Sequence, residues 1–366
     1  MMMVTRGVVM ISFKEVYYAD SAQGGNNFLL AGDIGGTNSN FGIFQFKNKR
    51  WILMLSIHFK SKQIDNFTLL IRDLIQYLEQ KHKIHIEHVC IGAAGPITPD
   101  RDYCKLTNAP IVIDVKELKK VLNINCLALA NDFEIIGYGI HRLFQESIVK
   151  INDVAPQERA SKAIIGAGTG LGASLLYWDC GKKRYSPMMS EGGHSDCSVQ
   201  HKAEFALLEF IKKTEKRRSN ISWEDLLSGA GIKRMYRFFR AHNSAAQSHW
   251  TRNDQGPEPD EIFNSRDLDA HAHATYELYT KMYARFAKSV ALDALATGGL
   301  YIAGGIAAHN VPLFQSEAFM KEFLNSCKQR TLLRTIPIYV IADYNVSLYG
   351  AAEYMRLADK CMRDCL

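Results

Sequence analysis

Asp33-Ile34-Gly35-Gly36-Thr37-Asn38 lies between two runs of apolar, β-rich sequence. Adjacent glycines let a backbone come close to phosphate oxygens, Thr37 and Asn38 add donors, and Asp33 at a strand end can organise a water bound to Mg2+. A plain glycine hairpin would read the same locally. The spacing is not that of a Walker A loop, which excludes an ordinary P-loop. A counterpart, Gly166-Ala167-Gly168-Thr169-Gly170-Leu171-Gly172, again falls between apolar strands, so Gly168, Thr169 and Gly170 could hold the other side of one polyphosphate. Ala303-Gly304-Gly305-Ile306 offers a third flat glycine surface, suited either to an adenine ring or to a close helix–strand contact.

Asn131-Asp132 follows the buried strand expected at 126–130, a strand end of the kind where α/β proteins carry their sites. Phosphorylating an alcohol needs a base for the hydroxyl proton, and a held Asp serves that purpose. Asp132 is therefore the candidate base, although an Asp there is also a good helix N-cap. Glu191-Gly192-Gly193-His194, and Glu224 ahead of Leu226-Leu227-Ser228-Gly229-Ala230-Gly231, place carboxylates and an imidazole on glycine-freed loops. Such groups can read the hydroxyls of a sugar, each of which donates and accepts. Cys197 is the only thiol near His194, so a zinc site is not expected there.

The elements that position these residues follow from periodicity. Strands are expected at 28–33, 40–46, 51–59, 88–94 and 126–130, with a helix at 65–81, a short one at 115–122 and another after Asp132. The second half repeats strand, glycine turn, strand at 163–177. Helices follow at 203–213, 223–239, 267–296 and 312–324, strands at 300–303 and 336–342, and a last helix begins at Ser347. Polar stretches at 153–162 and 242–265 read as linker and loop. The expected division is an extension at 1–26, a smaller α/β lobe at 27–150 and a larger one at 151–366, the last helix packing back on the smaller lobe. A chain of 366 residues exceeds what one core usually supports.

Composition narrows the class. With 47% hydrophobic and 22% charged residues the chain is an ordinary globular protein. The formal charge of +6 is dispersed; the densest basic cluster, Lys212 to Arg218, reads as a solvated helix end, and no nucleic-acid partner is expected. Eight cysteines without paired CxxC spacing fit a reducing cytoplasm, Cys361 and Cys365 included as free thiols. The start lacks a cleavage pattern, and the uncharged stretch 294–316 is broken by glycines and Pro312, so no membrane segment is expected.

Taken in order, DIGGTN at 33–38, GPI at 95–97, LTN at 106–108, ANDF at 130–133, GAGTGLG at 166–172, EGGH at 191–194, ExLLSGxG at 224–231 and IAGGI at 302–306 resemble the bacterial-type glucokinases, in the hexokinase branch of the actin-like ATPase superfamily. The resemblance runs from about residue 28 to 357 and does not extend to the zinc-containing repressor–kinase branch. It implies two ribonuclease-H-like α/β lobes with a cleft between them, and ATP-dependent phosphorylation of D-glucose at its 6-hydroxyl. It implies Asp132 as base, also touching substrate, and Asn108, Asn131, Glu191, His194 and Glu224 as glucose ligands. Gly35, Gly36, Thr37, Asn38, Gly168, Thr169 and Gly170 would face the phosphates, Gly304 and Gly305 the nucleotide, and Asp33 a Mg2+ ion through water. A cytoplasmic homodimer is implied as well. Asn40 stands where many relatives have Arg, and Ser190 where Gly is usual. A kinase for fructose, mannose or an amino sugar, a sugar-sensing regulator, and an actin-like chaperone or filament subunit are the competing expectations. A regulator should carry a DNA-binding helix pair, for which 1–26 is too short.

Overall fold

The computed structural model of the chain describes residues 12–18, 27–124, 126–143, 145–242 and 257–358. Contacts divide it into two units, residues 1–144 with 345–366, and residues 145–344.

The first unit is built on a six-stranded sheet from β1 (Phe13–Tyr17), β2 (Phe28–Ile34), β3 (Asn38–Lys47), β4 (Arg50–Lys60), β5 (Ile86–Ala93) and, after a small hairpin of β6 (Tyr103–Lys105) and β7 (Val112–Asp114), β8 (Cys126–Asn131). Its order is β1-β4-β3-β2-β5-β8. Asn48 and Lys49, both at positive φ, turn β3 into β4, the geometry that matches the twist of paired strands. β2, β5 and β8 run parallel, so α1 (Phe67–Tyr77) and α2 (Val115–Leu122) must cross over between them. The ends of the three parallel strands stand side by side: Ile34 pairs with Ala93, and Ala93 with Asn131. α3 (Asp132–Gly139) follows β8 directly.

The second unit repeats the plan with β9 (Ile148–Lys150), β10 (Lys162–Ala167), β11 (Leu171–Asp179), β12 (Arg184–Ser190), β13 (Leu300–Ala303) and β14 (Ile338–Ile341), in the order β12-β11-β10-β13-β14-β9. Three antiparallel strands again lead into a parallel set, β10, β13 and β14. Its helices are α4 (Lys202–Thr214), α5 (Trp223–Leu227), α6 (Gly229–His242), α7 (Pro259–Asn264), α8 (Ala270–Asp293), α9 (Gly305–His309), α10 (Val311–Gln315), α11 (Glu317–Phe323) and α12 (Arg330–Leu333). One core, including Ile165, Ile302, Val340, Tyr279 and Phe286, packs these helices on the sheet. The chain then returns to the first unit as α13 (Val346–Ala358). There Leu348, Ala351 and Met355 cover one sheet face with Leu29, Ala31, Phe44 and Ile135, while Phe67, Leu74 and Leu118 cover the other with Leu30, Ile57 and Ile91.

Several expectations need correcting. The helix expected over 223–239 breaks at Ser228, which is extended and whose hydroxyl accepts the Gly231 amide at 3.2 Å. That over 312–324 breaks at Ser316, which caps Phe319 in the same way. Serine side chains that bond local backbone compete with helix continuation. α7 forms inside the stretch expected to be a loop, whereas residues 243–256 lie outside the described residues, as do Cys361 and Cys365. Residues 13–17 of the expected extension add β1 to the sheet edge beside β4. The basic cluster is partly tied down, with Arg217 bridging Glu215 and Asp225. No helix among the described residues is long and apolar enough to cross a membrane.

Candidate active site

In the first unit, the turn after β2 is fixed from several sides. The Gly35 amide donates to the Asn38 carbonyl at 3.0 Å, the Ser61 hydroxyl to the Gly35 carbonyl at 2.7 Å, and Lys60 Nζ to Asn38 Oδ1 at 2.8 Å. Gly36 faces Asn108 so closely that an added Cβ would lie 2.9 Å from the Asn108 Cβ, so any side chain there would push 108 away. Thr37, Asn38 and Asn108 are exposed. Asp33 Oδ2 accepts the Ser347 hydroxyl at 2.6 Å. Burial raises the Asp33 carboxyl above its ordinary range, and the Ser347 bond only partly opposes this.

Two strands along the sheet, at the end of β8, Asn131 caps α3. Its Oδ1 accepts the Phe133 and Glu134 amides at 3.0 and 3.3 Å, and its Nδ2 reaches the Gly95 carbonyl at 3.4 Å. The cap is thus Asn131, not Asp132, which begins the helix proper. With its Oδ1 accepting both cap amides and one Nδ2 hydrogen directed at Gly95, Asn131 has one N–H left to donate. Glu134 completes the capping box and is buried in a two-pronged bond with Arg101 at 2.8 and 2.9 Å. Sequence reasoning missed that pair, although the N-x-x-E spacing at 131–134 signals the capping box.

In the second unit four motifs interlock. The Leu171 amide donates to Glu224 Oε2 at 2.8 Å, and the Gly229 amide to the Gly168 carbonyl at 2.9 Å. His194 Nε2 stands 3.8 Å from both Glu191 Oε2 and Glu224 Oε2. Gly304, at φ +90°, lies against the Ala167 carbonyl, where a Cβ would come within 2.5 Å; only glycine satisfies both the dihedral and the contact. Since β13 pairs with β10 through Ala303 and Gly166, the 304–305 turn and the 168–170 turn are neighbours. Gly168 has open space around it, Thr169 is exposed, and Gly170 closes the turn by accepting the Gly168 amide at 2.8 Å. Ser190 has a structural reason: its Oγ accepts the Gly192 amide at 3.1 Å, holding the turn that presents Glu191.

The family profile for glucokinase matches residues 30–358. The chain belongs to the glucokinase family. The glucokinase of Nostoc punctiforme is 34% identical over 340 residues, 88% of this chain and 97% of that protein. Among solved structures, a glucokinase from Balamuthia mandrillaris in complex with glucose is similar at a TM-score of 0.78, with 20% identity over 90% of this chain and 93% of that one. A glucokinase of the ROK family from Streptomyces griseus, in complex with glucose and AMPPNP, gives 0.62 and 17% over 91% and 100%. These likenesses give the fold as the actin-like one of the sugar kinases. Among the described residues no group of three or more His, Cys, Asp or Glu side chains could hold a metal ion by itself.

Proposed function

We propose that this glucokinase-family enzyme transfers the γ-phosphoryl group of ATP to the 6-hydroxyl of D-glucose. Family membership over residues 30–358 carries the reading. Asp132 accepts the hydroxyl proton from the start of α3; Glu191, His194 and Glu224, with Asn108 and the Asn131 amide, read the sugar. The turns at 35–38 and 168–170 take the phosphates, and Gly304 and Gly305 the adenine. The mutual spacing of Glu191, His194 and Glu224 supports one cluster of donors and acceptors for adjacent hydroxyls.

Mg2+ fits at Asp33. The carboxyl is held at a strand end, raised by burial and opposed only in part by a neutral hydroxyl, so it is short of positive charge that a hydrated divalent cation supplies. When bound, the ion neutralises charge on the phosphates. A single acidic side chain suits Mg2+, which keeps much of its water. The reading extends to a cytoplasmic homodimer, supported by the resemblance; light scattering on the purified enzyme checks its oligomeric state.

A coupled ADP-release assay with MgATP against glucose, mannose, fructose, glucosamine, N-acetylglucosamine and no sugar tests the function. Glucose should give the highest kcat/KM, and Asp132→Ala should lose roughly 10²–10⁴-fold in kcat while nucleotide still binds. Turnover led by another sugar would change the substrate; none with any sugar would remove the kinase reading. Near-normal turnover in the variant would remove Asp132 as base.

A further inference from the structure

The family match begins at residue 30, yet β1 and Tyr18 precede it, and the start of β1 lies at the site end of the first sheet, where Lys14 pairs with His58. Asp33, Asn40, His58 and Lys14 form one row across β2, β3, β4 and β1: Asp33 pairs with Asn40, Asn40 with His58, His58 with Lys14. Along it runs a chain of side-chain bonds. His58 Nδ1 bonds Asn40 Oδ1 at 2.8 Å, and His58 Nε2 bonds the buried Ser56 hydroxyl at 2.7 Å. Ser56 Oγ lies 3.3 Å from the Tyr18 hydroxyl, to which Asn345 Nδ2 donates at 3.3 Å. Two residues on from Asn345, Ser347 donates to Asp33.

These bonds branch from Tyr18 into two arms: one runs through Ser56 and His58 to Asn40, the other to Asn345, two residues before the Ser347 that donates to Asp33, and backbone pairing joins Asp33 to Asn40. Asn40 Oδ1 can only accept, so His58 Nδ1 carries the proton; burial and Lys14 lower the His58 pKa, leaving Nε2 to accept from Ser56. With its proton given to His58, Ser56 is left to accept from Tyr18, whose hydroxyl also lies 3.5 Å from Asn345 Oδ1 and accepts from Asn345 Nδ2. Asn40 is held by this chain through His58.

We propose that Tyr18, contributed by chain ahead of the family boundary, is a positioning residue for the phosphate-handling turn, acting through Asn345 and Ser347 on Asp33 and through Ser56 and His58 on Asn40. This rests on the assignment of Asp33 to Asn38 to MgATP. Without the Tyr18 hydroxyl the two arms are no longer joined, and Ser56 and Asn345 lose their common partner. The aromatic ring itself remains in Tyr18→Phe, so β1 stays docked.

Titration calorimetry with AMPPNP and Mg2+, beside steady-state kinetics, tests this on the full chain as wild type, Tyr18→Phe, Ser347→Ala and the double variant. Tyr18→Phe should weaken AMPPNP binding and raise the ATP KM about fivefold to tenfold, the effect of removing one hydrogen bond, with glucose affinity unchanged. The two single effects should combine to less than their product, because Tyr18 and Ser347 act through one arm of the network. Ser56→Ala, which cuts the other arm inside β4, should reproduce the selective loss. Wild-type nucleotide binding in Tyr18→Phe, equal losses for glucose and nucleotide, or fully multiplicative single effects would each overturn the proposal. A wild-type enzyme that binds no nucleotide would instead sink the functional reading beneath it.

Discussion

Gly350→Ala should separate the two helices that hold the ends of the first sheet. An alanine Cβ at 350 would lie 1.7 Å from the Ile135 carbonyl oxygen and 2.9 Å from the Gly139 amide nitrogen. Non-bonded heavy atoms settle at about 3.5 Å, so α3 and α13 must part by roughly 1.5–2 Å. Replacing glycine in a helix gains about 0.5–1 kcal/mol in propensity. Overpacking costs about 1–3 kcal/mol, and because the obstacle here is backbone the upper end applies. Sterics therefore win. In a unit of this size a net loss of about 2–2.5 kcal/mol lowers Tm by roughly 4–10 °C. The chemistry should suffer as well. α3 begins at Asp132 and α13 carries Ser347, whose 2.6 Å bond to Asp33 would be pulled past hydrogen-bond range. Misplacement by about 1 Å costs roughly 10²-fold in rate. Thermal unfolding by circular dichroism and kcat at saturating glucose and ATP read both effects. A variant with wild-type Tm and kcat would show that the helices slide apart without cost, and would refute the reasoning.

Glu191→Gln should raise the glucose KM far more than the ATP KM; equal shifts in initial-rate kinetics would place the residue in another subsite. Ser190→Ala frees the Gly192 amide and should raise the glucose KM by about threefold to tenfold, with the ATP KM unchanged as the control. Glu204 is buried beside Arg285; burial pushes its carboxyl up, but Arg285 and the Gln200 and His201 amides outweigh that and hold it below its ordinary 4.5. A depressed folded value gives stability that is present above 4.5 and lost as pH falls through the folded pKa. Tm should therefore drop on acidification below about pH 4.5, and less steeply in Arg285→Met. At neutral pH that variant should be less stable by about 3–5 kcal/mol, having stranded a buried carboxylate; a flat acid limb in the wild type would exclude the pair as the cause.

The turns of the candidate site are legible in the sequence because glycine pairs and strand ends are local signals. Asp33 to Asn38 reads as a turn between strands from composition alone, and it is the β2–β3 turn. The 166–172 turn lies between strands in the same way. What escapes the sequence is the meeting of distant segments. Nothing near Ser347 announces that it bonds Asp33, and nothing in Tyr18 points to Asn345. The β12 strand escapes because exposed Met188 and Met189 blur its alternation at a sheet edge. The role of Asp132 is harder still. Asp and Asn both make good caps, and only the backbone shows that Asn131 takes that part.

The return of α13 to the first unit sets an order of events during synthesis. Leu29, Ala31, Phe44 and Cys90 leave the ribosome early, but their partners Leu348, Ala351 and Met355 come only after residues 145–344 have been made. At ~5–20 residues per second, those roughly 200 residues take about 10–40 s. Throughout that interval one face of the nascent first sheet is covered only by α3 and stays open to chaperones or to a neighbouring chain, while the second unit's own sequence is completed first. A stop codon or ribosome stall before Val346 would leave the folded second unit tethered to a sticky, half-covered sheet.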